Sequence, residues 1–179
     1  MRHLSQHRYN EFEIEKAIVF LSDAMRQSGH NSKPVVLHSI RVASILWNNG
    51  LEEASVIAAI LHDVIEDSDT TYEDVKNGFG SEVADIVLSL TQSRGLDITE
   101  SYERSKALGL KAQVVRAADL IDNSFYYKLA GNPELEKKLY DKYKLFMSQS
   151  KEILKDTQLG SLLNEAYELN VEPLKNVVE

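Results

Sequence analysis

The sequence predicts an all-α domain. Apolar residues recur at helical spacing in almost every segment, no stretch alternates convincingly as a strand would, and the breaks between segments carry helix-capping residues. No repeat appears, and no low-complexity linker divides the 179 residues, a length suited to one domain with a real core. We expect a single domain over 1–179, with its core roughly at 10–150 and a helical extension over 151–179.

The elements follow in order. In EIEKAIVFLSDAM, Ile14, Ala17, Ile18 and Leu21 share one helical face. The polar run Gln27-Ser28-Gly29-His30-Asn31-Ser32-Lys33-Pro34 breaks that helix. A second helix spans roughly Val36 to Trp47 and stops at Asn48-Asn49-Gly50, where Gly50 suits a left-handed cap. The third runs from about Glu52 to Ile65 and is apolar nearly all round between Val56 and Leu61, the mark of a central helix. Thr71 with Asp74 forms a capping-box variant ahead of a short helix ended by Gly78. Phe79, Val83, Ile86, Val87 and Leu90 make another apolar stripe. Thr91 to Glu100 is turn-rich, Ser101 to Leu108 helical, and Lys111 to Leu129 one long helix. Asn132-Pro133 supplies an N-cap and first-turn residue for the last major helix.

Composition narrows the chemistry. A net charge of −8 argues against a general nucleic-acid binder, but a few local cations can still hold a small anion. With zero cysteines there is no disulfide or thiolate chemistry, so a metal would be held by imidazole and carboxylate. No apolar run reaches the roughly 18 residues of a membrane span, and MRHLSQHRYNEFE lacks a signal peptide's apolar centre. The expectation is a cytoplasmic protein bound neither to membrane nor to nucleic acid.

Polar groups interrupt three of the apolar helices. The third ends in LHDVIED, which sets His62, Asp63, Glu66 and Asp67 against the chain's most hydrophobic stretch. Ionised groups beside a core are costly unless a cation or hydrogen bonds compensate. A solvated helix end, with Asp63 as a cap, is the plainer alternative. His38 lies in LHSIRVASIL among core positions, where a structural histidine is common. Asp119 lies in VVRAADLIDN, with Asn123 one turn on, and could simply accept a hydrogen bond between helices. Together, His38, His62, Asp63 and Asp119 offer two imidazoles and two carboxylates from three helices, a bundle-type metal site. Nitrogen and oxygen donors without sulfur suit Mn²⁺, Fe²⁺ or Zn²⁺.

The order H…HD…D over helices is that of the HD-domain metal-dependent phosphohydrolases. The fuller string HSIRVASIL…VIAAILHDVIEDSDTTYEDVKNGFGSEVADIVLSLTQ…VVRAADLIDNS resembles the hydrolase domain of the RelA/SpoT alarmone enzymes and the small alarmone hydrolases, over roughly residues 26–124. That resemblance implies an HD-domain helical bundle with a metal site between central helices, removing the 3′-pyrophosphate of (p)ppGpp or a related small nucleotide. It implies Mn²⁺ as cofactor, with Fe²⁺, Zn²⁺ or Mg²⁺ as substitutes. His38, His62, Asp63 and Asp119 match the metal ligands, Glu66 and Asp67 the catalytic acidic pair that handles the attacking water, and Asn123 a nucleotide contact. Arg26 aligns with an arginine that packs on the base, and Lys33 and Arg116 are candidates for phosphate contact.

The chain departs from the family pattern around the substrate. The loop His30 to Pro34 is longer than usual, H-P becomes His38-Ser39, and V-T-K becomes Leu90-Thr91-Gln92, which removes a cation. The alternatives are an HD-type phosphatase acting on nucleoside monophosphates or NADPH, and a non-catalytic nucleotide-binding protein with the same fold. Retention of the full ligand set and of Glu66-Asp67 favours the hydrolase.

Overall fold

The computed structural model describes residues 9–29, 34–92, 97–150 and 152–175, with the backbone alone described at 127–130. Helices α1 (Glu11–Ser28) and α2 (Val35–Asn48) form where the spacing placed them. Asn10 caps α1 by accepting from the Phe12 N–H at 3.2 Å. At the end of α2, Gly50 takes φ 66°. Its N–H donates to the Trp47 carbonyl at 3.0 Å, and the Leu51 N–H to that of Leu46 at 3.1 Å. Both orphan carbonyls are thereby satisfied.

The third helix stops earlier than its pattern implies. α3 covers Glu53–Leu61, His62 and Asp63 form a turn, and α4 (Val64–Asp67) starts again. Asp63 sits at φ −96°, ψ −3°, outside regular helix. The cause is local: the His62 ring bonds through Nδ1 to the Ala59 carbonyl at 2.8 Å. The break lets two adjacent side chains point toward one centre.

α5 (Tyr72–Phe79) opens on the expected capping box and runs one residue past Gly78. The Thr71 hydroxyl accepts from the Asp74 N–H, and the Asp74 carboxylate accepts from the Thr71 N–H. α6 (Ser81–Leu90) follows. α7 (Ile98–Leu108) begins within the stretch read as turns, because Asp97 accepts from the Thr99 N–H and starts the helix early. Gly109, at φ 90°, bends the chain into the long α8 (Leu110–Ala130). α9 (Pro133–Ser150) begins on Asn132 as expected. α10 (Gln158–Ala166), a π-helical turn at Tyr167–Val171 and a 3-10 turn at Glu172–Leu174 complete the described chain, which contains no strand.

Packing explains the site's position. Every residue from Ser55 to Leu61 is buried, so α3 runs through the middle. α2 and α8 both pack on it and on each other, with α6 on a further side. α10 and the π-helical turn after it lie along α8, where Asn170 of that turn donates to the Ser124 hydroxyl at 3.1 Å. No helix among the described residues is long and apolar enough to cross a membrane. Leu21 on α1 is fully buried, so Leu21→Ala should lower unfolding free energy by about 2–5 kcal/mol in a denaturant titration. A change below about 0.5 kcal/mol would contradict the packing described.

Candidate metal centre and substrate cavity

α2, the turn after α3, and α8 meet with four polar side chains turned inward. His38, His62 and Asp63 each bring a ligand atom to within 4.8 Å of the others. Asp119 closes the group, its Oδ1 lying 3.1 Å from His38 Nε2 and 3.5 Å from His62 Nε2. Asp63 oxygens lie 3.3 Å from His62 Nε2 and 3.9 Å from His38 Nε2. Both histidines are buried, and among the described residues neither Nε2 has a hydrogen-bond partner.

The tautomers follow from the partners. The His38 Nδ1 is 2.7 Å from Asp122 Oδ2. Burial alone would raise the Asp122 carboxyl, but the contacts with His38 and Arg41 hold it below its ordinary range, so it is an ionised acceptor. Arg41 grips it twice, Nε to Oδ1 at 2.6 Å and the terminal nitrogen to Oδ2 at 2.8 Å. His38 therefore donates through Nδ1–H. The His62 Nδ1 faces a backbone carbonyl, which only accepts, so it too carries hydrogen. Both rings thus turn Nε2 to the same place, the arrangement found where histidines ligate metals.

Electrostatics there favour positive charge. Burial pulls the His62 imidazole down, but Asp63 and Asp119 outweigh it and push it up to about 10. Burial likewise acts to raise the Asp119 carboxyl, while His38 and His62 hold it well below the carboxylate range. Two orphaned ring nitrogens, two carboxylates and no sulfur fit a divalent cation.

A cavity of about 270 Å³ opens beside this group. Glu66 and Asp67 lie on its rim. Glu66 keeps an exposed edge, yet crowding by the surrounding protein raises its carboxyl, against the hydrogen bond it accepts from the Gln92 N–H at 2.9 Å. Asn123 donates to Asp119 Oδ1 at 2.6 Å, leaving its own Oδ1 buried and unpartnered. Arg116 also borders the cavity, but the wall uses it: Nε donates to the Ser105 hydroxyl, a terminal nitrogen to the Leu90 and Ser101 carbonyls, and the guanidinium lies 4.1 Å over the Tyr102 ring. Burial lowers its pKa.

Arg26 is not brought to this cavity. It is exposed near the end of α1 and paired with Asp23 at 3.1 Å. Lys33 lies outside the described residues. Three functional candidates come from the structure rather than from the sequence. Asp122 orients His38, and Lys138 and Lys142 reach the cavity from α9. Burial lowers the Lys142 ammonium, although Asp119 and Glu66 pull it the other way.

Comparisons with known proteins bear on the family and the fold. The HD domain family matches residues 17–120, more than half of the chain. The chain is similar to a guanosine-3′,5′-bis(diphosphate) 3′-pyrophosphohydrolase of Aquifex aeolicus, 37% identical over 90 residues that cover 50% of this chain and 13% of that protein. It is also similar to the guanosine-3′,5′-bis(diphosphate) 3′-pyrophosphohydrolase MESH1 of Drosophila melanogaster, 33% identical over 104 residues, 55% of this chain and 58% of that protein. MESH1 of Danio rerio is 33% identical over 117 residues, 60% and 65% of the two chains. The chain thus spans less than two thirds of the curated relatives it matches. Among solved structures, a metazoan ortholog of SpoT that hydrolyzes ppGpp superposes with TM-score 0.73 at 24% identity, over 90% of this chain and 97% of that one. That likeness is one of fold. A Listeria monocytogenes protein, lmo0812, superposes with TM-score 0.58 at 26% identity, over 73% and 95%.

A cation entering the centre must displace the His62 proton. Because that proton is held up to about 10, lower pH should weaken metal binding and higher pH strengthen it. Calorimetry between pH 6 and 9 should show affinity rising roughly tenfold per pH unit, with about one proton released. Affinity independent of pH would contradict this. Asp122→Ala should weaken metal binding roughly 10–100-fold in the same titration.

Proposed function

The chain belongs to the HD-domain family, and from that premise we propose that it is a metal-dependent phosphohydrolase removing the 3′-pyrophosphate of (p)ppGpp or a close relative. His38, His62, Asp63 and Asp119 hold the divalent ion in this reading, with Mn²⁺ as the resident metal. The observation that carries it is the pair of orphaned Nε2 atoms turned onto two carboxylates, with Glu66 on the rim of the adjoining cavity. The activity of the Aquifex and MESH1 relatives, guanosine-3′,5′-bis(diphosphate) 3′-pyrophosphohydrolases, supports this choice of substrate. A small nucleotide substrate favours the cytoplasm as the place where the enzyme works.

A bound divalent cation lowers the pKa of water and neutralises phosphoryl oxygens. The chain's own groups supply the rest. Glu66, raised by crowding, is a stronger base than a solvated carboxylate, and the Gln92 N–H fixes one of its oxygens. It takes a proton from the attacking water, with Asp67 beside it on the rim. The water oxygen bonds to the phosphorus next to O3′, the O3′–P bond breaks, O3′ takes up a proton, and pyrophosphate leaves. Asn123 offers its unpartnered Oδ1 to a sugar hydroxyl. Arg116 braces the wall with its hydrogen bonds and lends positive charge.

The deciding experiment incubates purified protein and Mn²⁺ with ppGpp, NADPH, nucleoside monophosphates and deoxynucleotides. We expect pyrophosphate from ppGpp; phosphate from monophosphates or NADPH instead would replace this reading with a phosphatase, and no turnover with any metal would remove catalysis altogether. Asp63→Ala should abolish metal binding and turnover together. Glu66→Gln should keep metal affinity within about threefold and lose roughly 10²–10⁴ in kcat. Turnover by Glu66→Gln at the parent rate would refute the water-activating role.

A further inference from the structure

α9 brings two ammonium groups to a cavity whose other side is acidic. Lys142 is half-buried there, and Lys138 stands one turn before it on the same helical face. Among the described residues neither donates a hydrogen bond or joins an ion pair, although elsewhere Lys16, Lys76, Lys111 and Lys137 all have carboxylate partners. A lysine withdrawn from water without a partner is costly unless a ligand compensates it.

The surroundings say what that ligand is. Asp119 and Glu66 attract Lys142 from across the cavity, while Lys138 and Arg116 repel it. A divalent ion among His38, His62, Asp63 and Asp119 would neutralise the carboxylates there, leaving Lys138 and Lys142 on the α9 side, with Arg116 beside Asp119 on α8, as the dominant charges of the lining. That side then attracts an anion. Arg116 is committed to the Ser105 hydroxyl and the carbonyls of Leu90 and Ser101, whereas the lysines are not. Gln92, at the position where the family pattern carries lysine, lines the same cavity without charge.

We propose that Lys142, assisted by Lys138, holds the outer phosphate of a 3′-diphosphate, the group beyond the phosphorus that water attacks. This wall does in this chain what Gln92 cannot, and it selects esters carrying two linked phosphates over monophosphates. The proposal rests on the phosphohydrolase reading of the metal centre. A lysine ammonium is a point charge on a flexible stem, suited to an anion that arrives and departs in each cycle.

Inorganic phosphate is the probe, titrated calorimetrically into protein loaded with stoichiometric metal. Lys142→Met should weaken phosphate binding about tenfold or more, Lys138→Met about threefold, and Lys142→Arg should stay within about threefold of the parent. Metal affinity and melting temperature should hold in all three; Lys138 is exposed, so its replacement tests the wall with no risk to folding. In kinetics, Lys142→Met should raise KM for ppGpp more than it lowers kcat. The proposal falls if Lys142→Met binds phosphate like the parent, if the parent binds none, or if phosphate and metal affinity drop together. Phosphate bound through Lys142 without ppGpp turnover keeps the wall and removes the substrate. Turnover with KM unchanged in Lys142→Met removes the wall and keeps the substrate.

Discussion

Two buried imidazoles turned onto two carboxylates set the terms for everything near them. Such a group is stable at the meeting of α2, α3 and α8 only if its charges are compensated and its rings cannot rotate. The surrounding chain supplies the second condition. Asp122, clasped by Arg41, fixes one ring, and the Ala59 carbonyl fixes the other. The broken helix at His62 and Asp63 belongs to the same requirement. A continuous helix would send adjacent side chains about 100° apart, and the turn brings them together.

Charge is layered outward from that centre. Carboxylates lie at the floor with Arg116 beside Asp119 on the same helix, Glu66 and Asp67 at the rim, and the α9 lysines on another helix of the lining. A protein of net charge −8 thereby presents a local field that an anionic nucleotide can enter. The proposed function assigns these layers separate tasks: the floor a cation, the rim protons, and the α9 lysines phosphate charge. Each group's pKa direction reflects its layer, since crowding raises Glu66 while the histidines hold Asp119 down.

The central site was legible because polar residues stood where the pattern demanded apolar ones. His38, His62 and Asp119 interrupt apolar faces, and nothing in ordinary core packing asks for them there. Asp122 escaped notice because it follows Asp119 by three residues beside Asn123, and only the folded α2 brings Arg41 across to it. Lys138 and Lys142 fall in EKKLYDKYK, whose charge density reads as a solvated face until α9 is seen to cross the cavity mouth. Arg26 was a reading from motif likeness alone, and burial gives it no support, for it stands exposed beside Asp23. The helix caps at Gly50, Thr71 and Asn132 were legible because their chemistry is local; the early start of α7 at Asp97 was not, since surrounding turn residues masked it.

The family match ends at residue 120, whereas α9 begins at Pro133. The proposed reaction centre and the proposed lysine wall are therefore carried on separate stretches of one chain. If the proposed roles hold, exchanges along α9 redirect which molecule is accepted and leave the metal-binding group intact, so grafting a different ninth helix onto this scaffold is a direct route to new selectivity.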